Sequence, residues 1–264
     1  MLSKLLKYEI KATARIFLPL MAVLLVFAGV NKLISSLSQN QWQAPEIISL
    51  ILYITILVGI LVMTLVVMIQ RFYKNLLTDE GYLMFTLPVK VWKQITSKLV
   101  VAMMWTIVSG IAALVSIFII AYDKIFTEQF MGAFKGSYIF EYFNLTTAIF
   151  ILEFLLLCLV SMASNVLIIY ASIALGHLFN RHRILASIGA FIVLSTASQI
   201  LFTVVGYAFG SMYSSVNISS IQDFQAFASL VHSSMWFFII FFGLLSAGYF
   251  ALTNYILSRR LNLE

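Results

Sequence analysis

Charge is scarce in this chain. Of its 264 residues only 10% are Asp, Glu, Lys or Arg, whereas 62% are hydrophobic. Soluble domains carry about 25% charged and about 45–50% apolar residues. The polar side chains are therefore too few to cover a surface facing water, which excludes an ordinary soluble domain. Cysteine is nearly missing: Cys158 stands alone. That excludes an intramolecular disulfide framework, and the residue reads as a small buried hydrophobe in preference to a reactive thiol. Proline occurs three times, and no Pro/Gly-rich linker divides the chain, so residues 1–264 read as one membrane domain. Chemistry-bearing patterns are missing as well. There is no GxxxxGK run followed by Ser or Thr, so ATP binding in the P-loop manner is excluded. There is no HExxH. His177 and His182 stand five apart, the wrong relation for sharing one zinc ion on a helix face, and read as headgroup-level residues beside Arg181 and Arg183. No paired acids lie within the apolar runs for proteolysis inside the membrane. No catalytic residue and no metal site is expected.

What the chain has instead is long apolar runs. A helix needs about 20 mostly apolar residues to cross the hydrocarbon core. Six runs meet that length: 16–37, 47–69, 99–121, 148–176, 184–206 and 235–257. They are about twice as long as a barrel strand and do not alternate. The expected fold is an all-α integral membrane protein with six transmembrane helices. The first run exceeds the apolar core of a cleaved signal peptide, and no small-residue cleavage site follows it.

The basic residues are sorted between the two sides. Lys4, Lys7, Lys11 and Arg15 precede the first run, and Arg71, Lys74, Lys90, Lys93 and Lys98 follow the second. Arg181 and Arg183 follow the fourth, and Arg259 and Arg260 follow the sixth. That is thirteen of the 16 cations on one side, leaving Lys32, Lys124 and Lys135 on the other. Cytoplasmic loops collect Lys and Arg, so both termini are expected in the cytoplasm of a plasma-membrane, multi-pass protein. The net charge of +6 reads as orientation and contact with anionic membrane lipid, not as nucleic-acid binding. The outer side holds residues 38–46, 122–147 and 207–234. The last is semi-polar and suits short re-entrant helices, which irregular backbone at membrane depth permits only under cover of protein or a wet cavity.

Two cytoplasmic segments stand out. In the first, Leu2, Leu5, Leu6, Ile10, Thr13 and Phe17 share one helical face while Lys4, Lys7, Lys11 and Arg15 share the opposite one, the pattern of an interfacial amphipathic helix over 1–15. Pro19 then allows a change of direction. Glu9 falls on the apolar face, where it either pairs with a base from another cytoplasmic segment, Arg71 for example, or points sideways into water. The second segment is the loop 71–98. Thr78 or Asp79 can cap a short helix, and Pro88 ends it. Between them Tyr82, Leu83, Met84, Phe85 and Leu87 leave almost no polar face. Such a surface packs on lipid or its own bundle, or fits a groove on a partner.

The run Asp79-Glu80-Gly81, then Leu87-Pro88-Val89, then Lys98 entering the third span resembles the cytoplasmic loop of ABC-2-type exporter permeases. The Lys-Tyr-Glu segment at 7–9, six spans and a long outer loop before the last are similar to that family too. The layout most resembles small Gram-positive permeases that export peptides, such as phenol-soluble-modulin exporters. The resemblance implies that Asp79, Glu80, Gly81, Tyr82, Leu83, Met84, Phe85, Leu87 and Pro88 form a coupling helix touching a separate ATPase subunit. It implies that 1–15, with Glu9, is the elbow helix. ATP and Mg would be bound by that ATPase, with no cofactor in this chain, and a second permease subunit, identical or related, would complete the transporter.

The fourth span places Glu153, Ser161, Ser164, Asn165, Ser172 and Gly176 in one sector of its wheel. An ionisable group within a span usually faces a bundle interior or a wet cavity, and small hydroxylated residues also serve plain helix packing. Both readings of Glu153, Ser161, Ser164 and Asn165 stand: a translocation path or a packing seam. The expected function is export of an amphipathic peptide or lipid-like molecule without enzymatic activity in this chain. The rivals are an intramembrane protease or lipid-modifying enzyme, and a non-catalytic immunity or scaffold protein.

Overall fold

A computed structural model describes residues 2–37, 43–77, 89–122, 132, 145–179, 182–213 and 224–259. Among them the chain forms six long α-helices and no strand: α1 (Leu2–Leu37), α2 (Gln43–Leu77), α3 (Val91–Ala121), α4 (Leu145–Gly176), α5 (Arg183–Tyr213) and α6 (Phe224–Arg259). All six are long and apolar enough to cross a membrane, and the protein is a multi-pass membrane protein. The shortest has 31 residues and the longest 36. At about 1.5 Å per residue they reach roughly 46–54 Å, well beyond a hydrocarbon core of about 30 Å. Each helix thus runs past the apolar stretch that identifies it.

Two expectations about helix ends change. Helix α1 continues through Pro19 and forms one element with the segment 1–15. Its buried positions explain why: Thr13, Phe17, Met21, Leu24, Ala28 and Asn31 recur at steps of three and four on both sides of the proline. An unbroken inner stripe holds the helix together across the missing N–H. The segment 207–234 also differs. Residues 207–213 extend α5 and 224–234 begin α6, so only 214–223 can lie between them.

The chain divides into two compact units, residues 1–72 with 96–143, and 73–95 with 144–264. In the first unit, α1 and α3 run parallel. Glu9 meets Lys98, Thr13 meets Trp105 and Lys32 meets the carbonyl of Ile120, a register that stays nearly constant along both helices. The inner stripe of α3, Val101, Trp105, Ser109, Ala112 and Ser116, has the same three-four spacing. Its small residues allow close approach where lipid supplies no hydrophobic drive between helices. Helix α2 is antiparallel to both and is tied by Asn31 Nδ2 donating to Ser49 Oγ and by a Tyr53–Ser116 hydroxyl pair at 2.8 Å.

In the second unit α4 packs against α5 and α6. The α4–α5 corner is tight. A Cβ on Gly176 would sit 2.6 Å from the backbone nitrogen and 2.7 Å from the Cα of Ser187. His182 turns the chain with φ 61°, and its carbonyl accepts the first backbone bond of α5, from Ala186. Helix α5 leans on α6 through a Ser198–Tyr249 hydroxyl pair and through Phe202, which contacts Phe237, Phe238 and Phe241. A replacement Gly176→Ala is expected to lower stability by about 1–3 kcal/mol through overpacking. The double replacement G176A/S187A should restore it only in part, because the Ser187 backbone nitrogen and Cα obstruct the new methyl as well as the Ser187 hydroxyl. Unfolding in detergent micelles reads both.

Candidate functional site

The chain holds two polar junctions at membrane-helix seams, one in each unit. The first lies where α1 faces the beginning of α3. Glu9 and Lys98 are 3.2 Å apart, with side chains 13% and 5% exposed. Glu9 therefore does find a base, and among the described residues that base is Lys98, not Arg71. The parallel register of α1 and α3 dictates the choice. One turn further along α1, the indole N–H of Trp105 donates to Thr13 Oγ1 at 2.7 Å. The Thr13 hydroxyl in turn donates back to the carbonyls of Glu9 and Ile10. One turn beyond that, Phe17 stacks on Trp105 with ring centroids 4.7 Å apart. An ion pair, a hydroxyl–indole bond and an aromatic stack thus follow one another along little more than two turns of α1, fixing how it lies on α3.

The second junction lies between α4 and α6. Glu153 is only 4% exposed, and both carboxylate oxygens are engaged. Oε2 is 2.7 Å from His232 Nδ1, and Oε1 accepts the Trp236 indole N–H at 2.9 Å. Phe150 stacks on the His232 ring at 3.8 Å. Helices α4 and α6 also run parallel, and Glu153 and His232 each stand eight positions into their helix. Apart from Arg183 and Arg259 at helix ends, these are the only Asp, Glu, Lys, Arg or His residues in α4, α5 and α6. The sequence pointed to Glu153 and missed both partners. The available signal was the one histidine in the sixth apolar helix, with a tryptophan four residues on, at matching depth.

The remaining polar positions of α4 divide. Ser164, Ser172 and Gly176 are buried, Ser161 is half-buried and Asn165 is exposed. Three side chains turn back on their own helix: Ser161 Oγ donates to the Cys158 carbonyl, Asn165 Nδ2 to that of Ser161 and Ser172 Oγ to that of Ile168. The lone Cys158 is half-buried and unbonded. The coupling-loop residues Asp79, Glu80, Gly81, Tyr82, Leu83, Met84, Phe85, Leu87 and Pro88 lie outside the described residues. So does the short helix expected over 79–86.

Just past the end of α4, His177 is half-buried with its ring 5.2 Å from that of Tyr73, and among the described residues its Nε2 has no hydrogen-bond partner. Burial first, and the Arg183 guanidinium second, hold its pKa below the ordinary value of 6.5. Among the described residues no group of three or more His, Cys, Asp or Glu side chains is placed to hold a metal ion.

Two outcomes are expected. Glu9→Gln or Lys98→Met leaves a charge without its counter-ion in a buried seam and should cost about 3–5 kcal/mol. The double variant E9Q/K98M should lose less than the sum of the two, and a denaturation cycle in micelles measures the difference. The sign at His177 follows from its lowered pKa: the fold favours the neutral ring, so its contribution is complete above pH 6.5 and is lost as pH falls below that value. His177→Phe keeps a ring against Tyr73 and should flatten this acid-side decline in melting temperature.

No family model, no curated protein and no solved structure matches the chain.

Proposed function

We propose that this protein is the membrane subunit of an ATP-driven exporter of the ABC-2 type, in a bacterial plasma membrane. It pairs with a second permease subunit and takes its power from separate ATPase subunits. The observation that carries the reading is the loop between α2 and α3: its ends are cationic, and its centre presents Tyr82, Leu83, Met84, Phe85 and Leu87 with few polar neighbours. Burying each such side chain is worth roughly 1.5–3 kcal/mol, so a groove on a cytosolic partner would hold the segment firmly. The bond between Lys98 and Glu9 supports the same reading. Lys98 lies two turns into α3, the helix that the loop enters, and is attached to α1, so a push on the loop has a route through α3 to the first helix. Closure of the ATPase around nucleotide would displace the loop and tip the bundle between inward and outward states. The wall offers few fixed charges to grip a small ion or sugar, which favours an amphipathic peptide or lipid-like cargo.

Replacing Tyr82, Phe85 and Leu87 together by Ser should release the ATPase on affinity purification and abolish export, while the permease still reaches the membrane. If the ATPase stays bound and transport is intact, the coupling assignment is wrong.

A further inference from the structure

The outer face of α1 changes character along its length. Lys4, Lys7, Lys11 and Arg15 are all exposed and recur at steps of three and four, a row of about 16 Å along the helix. Tyr8 stands beside them at 71% exposure. The same face continues through exposed Leu18, Ala22, Val26 and Leu33. It passes from wholly cationic to wholly apolar between Arg15 and Leu18. The only acid before Glu46 in the sequence is Glu9, which stands on the opposite face of α1 and pairs with Lys98 in the α1–α3 seam. The row therefore carries four positive charges with no negative charge among them. None of the four has a hydrogen-bond or ion-pair partner among the described residues.

We infer that this row docks on the phosphates of anionic phospholipid headgroups. The order of the face matches the profile of a bilayer leaflet, charge first and hydrocarbon next, on one continuous helix. An acidic protein partner would account for the cations but not for the apolar surface that follows them without a break. Each Lys or Arg held near an anionic leaflet is worth roughly a fivefold gain in association. Arg15 and Lys11, nearest the apolar run, should contribute at least as much as Lys7 and Lys4. The inner face of the same turns carries Glu9 and Thr13, so a lipid that holds the row in place also holds the α1–α3 seam together. A ligand that binds the folded form alone stabilises it by mass action. The inference is independent of the transporter reading.

The test is thermal unfolding of the purified chain in vesicles of phosphatidylcholine, with and without phosphatidylglycerol. Phosphatidylglycerol should raise the melting temperature of the unaltered protein by several degrees. The gain should vanish in about 1 M salt, where the Debye length falls to about 3 Å. The variant K4Q/K7Q/K11Q/R15Q should melt as the unaltered protein does in phosphatidylcholine and lose the gain, while K4R/K7R/K11R/R15K and R259Q keep it. If the quadruple glutamine variant does not reconstitute, K4Q/K7Q and K11Q/R15Q should each lose part of the gain. An unaltered protein indifferent to phosphatidylglycerol overturns the inference, as does a full gain in the quadruple variant or in both pairs.

Discussion

Inside a bilayer a buried polar group has no water to fall back on, and that constraint shapes this molecule. An isolated charge within a span is expensive by any scale, so each must be matched by a group on a neighbouring helix at the same depth. The chain satisfies the demand in the same manner in both units. In the first, an acid on α1 meets a lysine on α3. In the second, an acid on α4 meets a histidine on α6. In each case the two helices are parallel, and an indole N–H from the third helix adds a further bond nearby, to Thr13 in one unit and to Glu153 itself in the other. Lipid tails are as apolar as leucine, so packing alone discriminates weakly between one helix register and the next. A carboxylate that must find its partner does discriminate, because sliding the seam by one turn would leave the charge unmatched.

Most other hydroxyls do not serve this purpose. Thr55, Thr64, Thr106, Thr203, Ser233 and Thr253 each donate to a carbonyl three or four residues earlier in their own helix. That arrangement hides the donor cheaply and names no neighbour. The stripe of α4 that combines Ser161, Ser164, Asn165 and Ser172 belongs largely to this class: three of its four side chains are satisfied within the helix. Glu153 differs, because a carboxylate has no donor to offer its own backbone and must reach outward. A carboxylate within a span is therefore a stronger indicator of helix-to-helix contact than any number of hydroxyls.

The six spans were legible from apolar length alone, because a run of 20 or more apolar residues leaves little choice of structure. Helix ends were not. Polarity marks where a span leaves the hydrocarbon, whereas a helix continues as long as its backbone bonds and inner contacts are favourable. Thus α1 begins at Leu2, passes Pro19 and keeps its stripe from Thr13 to Asn31, and α5 and α6 extend into a segment whose semi-polar composition suggested short re-entrant helices. The partner of Glu9 was not legible either. Arg71 and Lys98 are both basic and both flank the same loop, and only the parallel register of α1 with α3 decides between them. His232 and Trp236 were hidden for a different reason: in the sequence a histidine and a tryptophan near a helix start resemble interfacial anchors, and their role follows only when α4 and α6 are placed side by side.

Lys98 occupies a position that three demands share. It stands two turns into α3 beyond the loop that follows α2, it lies in the buried part of that helix with Gln94, Ile95 and Ser97, and it neutralises the one acid on the N-terminal turns of α1. Glu9 stands two positions from both Lys7 and Lys11, roughly 160° around the helix from them, and makes no i, i+3 or i, i+4 pair with Lys4, Lys7, Lys11 or Arg15. Helix periodicity alone therefore sends the acid to the inner face, where Lys98 neutralises it, and leaves the outer row uniformly positive. The seam and the row are two faces of the same turns of α1: the inner face holds the helix to α3, and the outer face carries the positive charge of the first unit.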